Sequence, residues 1–367
     1  MRLLVITPWF PTIAAPVAGV FVQRDADLLS SAHDVTLAHL VDPALLSESD
    51  LSADSASPYP IHRIPMSRAR PGALLSAWRQ LRPLIADADV VHTQAFQSLL
   101  PLWGHRIDAP WVHSEHWSGI GDPASLTPRG RLVLKATGRM LDRPDVVTAV
   151  STHLLDQVRR FRSRQTMVVP SVVQDSAADR PPRDPSRLRL VSVGNLVHGK
   201  DPQLAVATVR ELHRRGVAAS LDWVGDGPLR SELEALVTPE DQVTWQGATD
   251  AAGVASALSG ADIFLLPTRG ETLCLSAIEA ISHGLPVVMG AFGGQRDYIT
   301  PDNGRLVEPR TADAYADAVR EVERELDRLA PSNVAETIRG RFSPASVARG
   351  YEEAFVQAIA EHRRRTT

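Results

Sequence analysis

Two glutamates and one lysine are the side chains best placed to do chemistry. Glu271 and Glu279 lie eight residues apart in the segment 263–288, IFLLPTRGETLCLSAIEAISHGLPVV. The apolar run from Ile263 to Leu266 predicts a strand that stops at Pro267 and turns at Arg269-Gly270. A helix is predicted next, with Glu271 at its mouth and Glu279 two turns further on. His283-Gly284 ends it, and a second buried strand runs from Pro286 to Met289. Two turns of helix separate the carboxylates by roughly 12 Å of rise, beyond the roughly 5–9.5 Å of a glycosidase pair. They predict different jobs at the two ends of one ligand. A loop at a strand's carboxyl end, opening into a helix, is where open α/β sheets bind ligands. Free N–H groups and the helix dipole favour an anion there. The amides of Thr272, Leu273, Cys274 and Leu275 are therefore the expected seat of a diphosphate.

Only two lysines, Lys135 and Lys200, occur among 39 basic residues. A lysine that escapes so strong an arginine bias marks a place where a compact ammonium is wanted. Lys200 closes the segment 190–200, LVSVGNLVHGK, in which a strand runs into a Gly194-Asn195 turn.

The elements that must hold these groups alternate along the chain. Short apolar or β-branched strands are predicted at 3–7, 34–40, 61–65, 90–94, 111–116, 146–150 and 166–170, with helix-like stretches between. A proline-rich polar stretch, 175–186, reads as a linker. The alternation then restarts at 187–194, 219–225, 243–247, 263–267, 286–290 and 304–308. Such alternation implies parallel sheets covered on both faces. Asp201 and Pro202 read as N-cap and first residue of a helix, and Asp226-Gly227-Pro228 reads as a similar start. Residues 344–365 read as one amphipathic helix with Val347, Tyr351, Phe355 and Ile359 at steps of four. The expected domains are 1–175 and 187–343, with the helix of 344–367 returning to the first.

Composition narrows the class. With 367 residues, 44% hydrophobic and 22% charged, the chain is globular and of two-domain size. A single cysteine, Cys274, excludes an internal disulfide and fits a reducing compartment. Leu3 to Thr7 reads as a buried strand rather than a signal peptide, because prolines 8, 11 and 16 break any helix there. The net charge of −4 and the lack of aromatic-basic stacking motifs argue against nucleic acid. Residues 129–164 hold nine basic against three acidic residues, which would suit anionic lipid, a phosphorylated acceptor or simply a solvated face. Asp25-Ala26-Asp27 and Asp87-Ala88-Asp89 have the form of a metal motif. No other acidic residue is predicted to converge on either, and a hard cation wants several oxygens, so no metal is expected.

Taken together, the segments resemble the retaining glycosyltransferases of the GT-B fold, family 4, whose signature is Glu-x7-Glu. The resemblance spans nearly the whole chain and is tighter in the second half. It implies an α/β fold of two doubly wound Rossmann-like domains facing a central cleft. The first domain would bind the acceptor and the second a UDP- or GDP-linked sugar donor, with no further cofactor. It implies that Glu271 contacts the sugar, Glu279 the ribose hydroxyls and Lys200 the pyrophosphate. Asn195 stands where the family has an arginine, so Arg269, His198 or the helix dipole must supply the missing charge. Gly225, in LDWVGDGPL, matches a Gly-Asp-Gly-Pro loop. Gly247 ends the strand where the family often places the base. Asp297, in AFGGQRDYI, replaces a glutamate. In the first domain, His116 in PWVHSEHWSG fits the histidine that faces sugar and acceptor, with His113 second; Glu115 would partner it or face the other way. Gly19 fits the family's glycine-rich first strand-to-helix turn, whose amides meet the donor phosphate or the acceptor, and Arg24 is an outside candidate for an acceptor phosphate. The acceptor would be a glycan, a lipid-linked glycan or a small molecule, and the enzyme cytoplasmic or peripheral at the inner membrane face. A decayed donor-binding protein and a sugar-nucleotide epimerase are the alternatives.

Overall fold

The computed structural model describes residues 1–67, 70–173, 183, 184 and 186–366; most of the predicted linker lies outside them. The chain forms two compact units, Met1–Val172 with Pro344–Thr367, and Val173–Ser343. The first runs β1 (Arg2–Thr7), α1 (Val20–Ser30), β2 (Asp34–Val41), α2 (Glu48–Asp54), β3 (Ile61–Pro65), α3 (Pro71–Asp87), β4 (Val90–Gln94), β5 (Trp111–Glu115), α4 (Ser118–Gly121), α5 (Pro128–Thr137), β6 (Val146–Ala149), α6 (Thr152–Arg159) and β7 (Thr166–Val168). The second runs β8 (Leu188–Val193), α7 (Pro202–Arg214), β9 (Ala219–Val224), α8 (Arg230–Leu236), β10 (Val243–Gly247), α9 (Ala251–Gly260), β11 (Ile263–Leu266), α10 (Leu275–Ser282), β12 (Val287–Gly290), β13 (Gly304–Val307), α11 (Ala312–Arg324) and α12 (Pro331–Glu336). The last helix, α13 (Pro344–Thr366), belongs to the first unit.

Both sheets are parallel and both are doubly wound. Their orders are β3-β2-β1-β4-β5-β6-β7 and β10-β9-β8-β11-β12-β13. In each, the chain steps outward from the first strand, then returns to its other side. The switch falls between β1 and β4 in one unit and between β8 and β11 in the other. Crevices at the carboxyl ends of such strand pairs are where these sheets hold ligands. The central strands are apolar on both faces because helices cover both; every residue of β4, β5 and β11 is buried.

The final helix packs as its four-residue steps predict. Val347, Tyr351, Ala354, Phe355 and Ala358 are buried against Val22, Ala26 and Leu29 of α1 and against Val90 and Val112. The Tyr351 hydroxyl donates to Asp25 at 2.7 Å inside this interface. Asp27 accepts from the Tyr59 hydroxyl at 2.8 Å, and Asp87 and Asp89 pair with Arg2 at 2.5 and 2.8 Å. Both Asp-x-Asp segments are thus spent on structural contacts.

Helix α7 starts at Pro202 with Asp201 at the N-cap position, as expected, but its capping differs, and α8 differs in where it starts. Asp201 takes a left-handed backbone, φ 52°, and makes no side-chain cap. Its carboxylate instead binds the guanidiniums of Arg310 and Arg269, because a charged partner outweighs a neutral cap. Helix α8 begins at Arg230 and not after Asp226, whose carboxylate accepts the Gly227 N–H at 2.7 Å. Among the described residues no helix is long and apolar enough to cross a membrane.

Candidate active site

The β8–β11 crevice brings Lys200 and Glu271 together across 71 residues of sequence. The Lys200 ammonium donates to Glu271 Oε1 at 2.5 Å, with the two side chains 23% and 12% exposed. Thr268 Oγ1 lies 2.8 Å from the same oxygen and 3.1 Å from the Gly199 carbonyl. Gly199 also accepts the Arg269 N–H at 2.8 Å. The loops after β8 and β11 are therefore stitched together directly behind the ion pair. Thr268 escaped the sequence reading; its one signal was its place between Pro267 and the acidic loop. Burial opposes the Lys200 charge, but the Glu271 carboxylate outweighs it, with Cys274 adding, and the ammonium is held more firmly than in water. Burial, with Glu271 adding, pushes the Cys274 thiol up to about 11, so it stays protonated.

Glu271 is not on the helix that carries Glu279. Helix α10 begins at Leu275, after Cys274 in a left-handed conformation with φ 70°. Glu271 instead forms a bridge with Gly293: its N–H donates to the Phe292 carbonyl at 3.3 Å and its own carbonyl accepts from Gly294 at 2.9 Å. The separation of the two carboxylates is thus set by a loop and not by helical rise. Gly293, φ 123°, must be glycine here, because a Cβ would collide with the Glu271 carbonyl. Between these points, the N–H groups of Thr272, Leu273, Cys274 and Leu275 donate to no acceptor among the described residues. The carbonyls of Leu273 and Cys274 are pinned by the Tyr298 hydroxyl at 2.7 and 3.2 Å. A row of fixed, open amides beside an ammonium is an anion cradle. Glu279 sits half-buried on the second turn of α10.

Two other glycines of this unit frame the crevice. Gly225, φ 133°, lies so close to Gly194 that a Cβ would strike its carbonyl, and its N–H donates to Gly247 at 2.8 Å. Gly247, φ 78°, ends β10. Both therefore shape the loops after β9 and β10. Asn195 is exposed in the turn after β8. Of the candidates for its missing charge, Arg269 is engaged by Asp201 at 3.1 Å. The Asp297 carbonyl accepts from Arg341, which braces this loop.

The first unit places His116 just past β5. Its backbone N–H and that of Trp117 donate to Glu115 Oε1 at 2.9 and 2.8 Å. Glu115 Oε2 meets His113 Nε2 at 3.2 Å. Glu115 is thus the brace of the turn, and His113 points into that brace. Burial, with His113 adding, pushes the His116 imidazole down to about 3, so it is neutral in the physiological range. Gly19, φ 72°, precedes α1 and lets the chain pass against the Trp9 backbone. An arginine-lined cavity of about 520 Å³, with Arg143, Arg164 and Arg365 around Asp145, opens by the starts of β5 and β6, at the opposite strand ends from His116.

Comparison with known proteins bears on the family and the fold. Residues 18–176 match Glycosyltransferase Family 4, and residues 187–324 match Glycosyl transferases group 1. A GDP-mannose-dependent alpha-(1-6)-phosphatidylinositol dimannoside mannosyltransferase of Mycobacterium tuberculosis is 29% identical over 268 residues, covering 69% of this chain and 68% of that protein. A 2-deoxystreptamine N-acetyl-D-glucosaminyltransferase of Streptomyces fradiae is 28% identical over 320 residues, covering 78% and 75%. The sucrose-phosphate synthase structure from Thermosynechococcus elongatus superposes with a TM-score of 0.79 at 20% identity, over 98% of this chain and 100% of that one. Two doubly wound parallel sheets and these matches make the chain a GT-B glycosyltransferase of family 4.

Proposed function

We propose that the enzyme moves a hexose from a nucleotide diphosphate sugar to an acceptor hydroxyl with retention at the anomeric carbon and without a metal ion. The observation that carries this is the Lys200–Glu271 pair beside four open amides. Glu271 holds the ammonium. A bound diphosphate would share it, while the amides of 272–275 take the remaining phosphoryl oxygens. The bond from the anomeric carbon to the diphosphate oxygen breaks, and the acceptor oxygen attacks from the same face. The acceptor proton passes to the departing phosphate oxygen. Positive charge fixed where negative charge develops is the main catalytic effect. Glu271 would contact the sugar, Glu279 the ribose and His116, neutral, a sugar or acceptor hydroxyl. The relatives named above are transferases, which favours turnover over a decayed binding protein or an epimerase. A melting-temperature screen of UDP, GDP and their sugars would choose the base, since a ligand of the folded state raises the transition. Product NMR would then read the anomeric configuration. Inversion, or no shift with any nucleotide, overturns the reading.

A cytoplasmic enzyme working at an anionic membrane surface is the second part of the proposal. It rests on α5, where Leu132 and Val133 are 68% and 58% exposed between Arg129, Arg131 and Lys135. Basic charge plus exposed apolar side chains is the pairing that holds a helix at an anionic interface. Vesicle sedimentation of a variant with these three cations reversed tests it; undiminished binding refutes it.

A further inference from the structure

We infer that the arginine-lined cavity at the amino ends of β5 and β6 is a second phosphoryl-binding site, built for a phosphate monoester dianion. Its volume of about 520 Å³ falls within the roughly 300–1,000 Å³ of small-ligand pockets. The loop before β5, the turn before β6 and the end of α13 wall it, and all three belong to the first unit. The basic stretch 129–164 supplies Arg143 and Arg164 to its lining, and α13 supplies Arg365. Arg162 lies buried directly behind, donating to the carbonyls of Leu141, Pro144 and Asp145.

The charges here do not cancel. On the rim, Arg106 pairs with Asp108 at 2.5 Å, and Glu361 on α13 pairs with Arg364 at 2.6 Å. Four guanidiniums, Arg143, Arg162, Arg164 and Arg365, then face two carboxylates, Asp142 and Asp145. The Asp145 carboxylate is shared three ways: it accepts the Trp111 N–H at 3.0 Å, meets Arg365 at 2.7 Å and lies 3.6 Å from Arg164. Arg143 donates to the carbonyls of Leu102 and His105 and lies 5.6 Å over the Trp111 ring. Carbonyls satisfy such donors without neutralising the charge. Burial and the neighbouring Arg365 accordingly hold the Arg143 guanidinium below its ordinary value, and burial with Arg164 pushes Arg162 down to about 10. The dipole at the carboxyl end of α13 attracts cations, which accounts for Arg365 but not for three arginines from other elements. An excess of two positive charges matches a phosphate monoester, about −1.5 to −2 at neutral pH, and guanidinium is the group whose fork fits phosphate oxygens.

The test uses the full chain carrying Lys200→Met, so that the donor crevice does not dominate the signal, titrated with inorganic phosphate and with glycerol 3-phosphate by calorimetry. Arg164→Gln and Arg365→Gln should each weaken binding about tenfold, the scale of one charge-assisted hydrogen bond, and Arg365→Lys should recover part of the loss. Asp145→Asn keeps an oxygen for the Trp111 N–H while removing the competing charge, so phosphate should bind more tightly. If the arginines only brace the fold, these variants lower the melting temperature and leave phosphate affinity unchanged, and that result overturns the inference. So does a Lys200→Met protein that binds neither probe at millimolar concentration. Vesicles of phosphatidylcholine with and without phosphatidylinositol 4-phosphate separate the two sources of the phosphoryl group. Capture that Arg365→Gln abolishes assigns the site to a lipid headgroup; binding of glycerol 3-phosphate without such capture assigns it to a free phosphate ester.

Discussion

At the scale of single residues, Lys200 and Glu271 do separable work. Glu271→Gln leaves the ammonium without its carboxylate, so affinity for a nucleoside diphosphate should hold or rise a few-fold while turnover falls about 10²-fold or more. Lys200→Met should lose both affinity and turnover. Calorimetry beside initial rates distinguishes them, and equal losses in both variants would argue that the pair is only a brace. The sign of the pH effect follows from the raised Lys200 pKa. Its contribution to stability is fully present at neutral pH and is lost only as pH climbs through that raised value, above the ordinary 10.5. Asn195 offers the converse experiment. It is exposed in the same loop as Lys200, so Asn195→Arg should add a charge-assisted phosphate contact and tighten nucleoside diphosphate binding about tenfold, with a steeper salt dependence. An unchanged affinity would mean that the loop does not face the phosphates.

At the scale of elements, the contact between α1 and α13 carries a pH signature. Asp25 is wholly buried, and burial, only partly opposed by the Tyr351 hydroxyl bond, pushes its carboxyl up to about 7. The folded state therefore holds a proton that the unfolded chain releases near 4. Stability should fall as pH rises from about 4 to about 7 and level off above, the reverse of a salt-bridged carboxylate. Asp25→Asn should flatten that slope and raise the melting temperature at pH 8 more than at pH 4. A parallel shift at both pH values would deny the buried ionisation. The strands were legible one by one because each is a short apolar run between turn residues. The helix after β11 was harder. Its start moved to Leu275 because Glu271 pairs with Gly293, a contact 22 residues away that no local pattern announces.

At the scale of the whole molecule, the last helix belongs to the unit at the other end of the sequence. It buries Val347, Tyr351, Ala354, Phe355 and Ala358 there, on the order of 5–10 kcal/mol of apolar burial. That is comparable with the stability of a whole domain. A chain ending at Ser343 should lose the cooperative melting of the first unit and all transfer. Nucleoside diphosphate binding, whose candidate residues other than Gly19 lie in the second unit, should survive calorimetry. Loss of both would mean the second unit cannot fold without the first.

The sequence by itself determined the alternation of strands and helices, the two-unit organisation of the sheets and the family, because apolar periodicity, turn residues and the Glu-x7-Glu spacing are local. It singled out Lys200 and Glu271 separately. Only the tertiary structure decided that they meet, since the order β8 beside β11 folds two distant loops onto one crevice. It also decided which members of the basic stretch 129–164 gather around Asp145, for Arg143, Arg162 and Arg164 look in sequence like any other arginines. The charge around a side chain is a property of the neighbours that packing brings, and packing is not written in the spacing of residues along the chain.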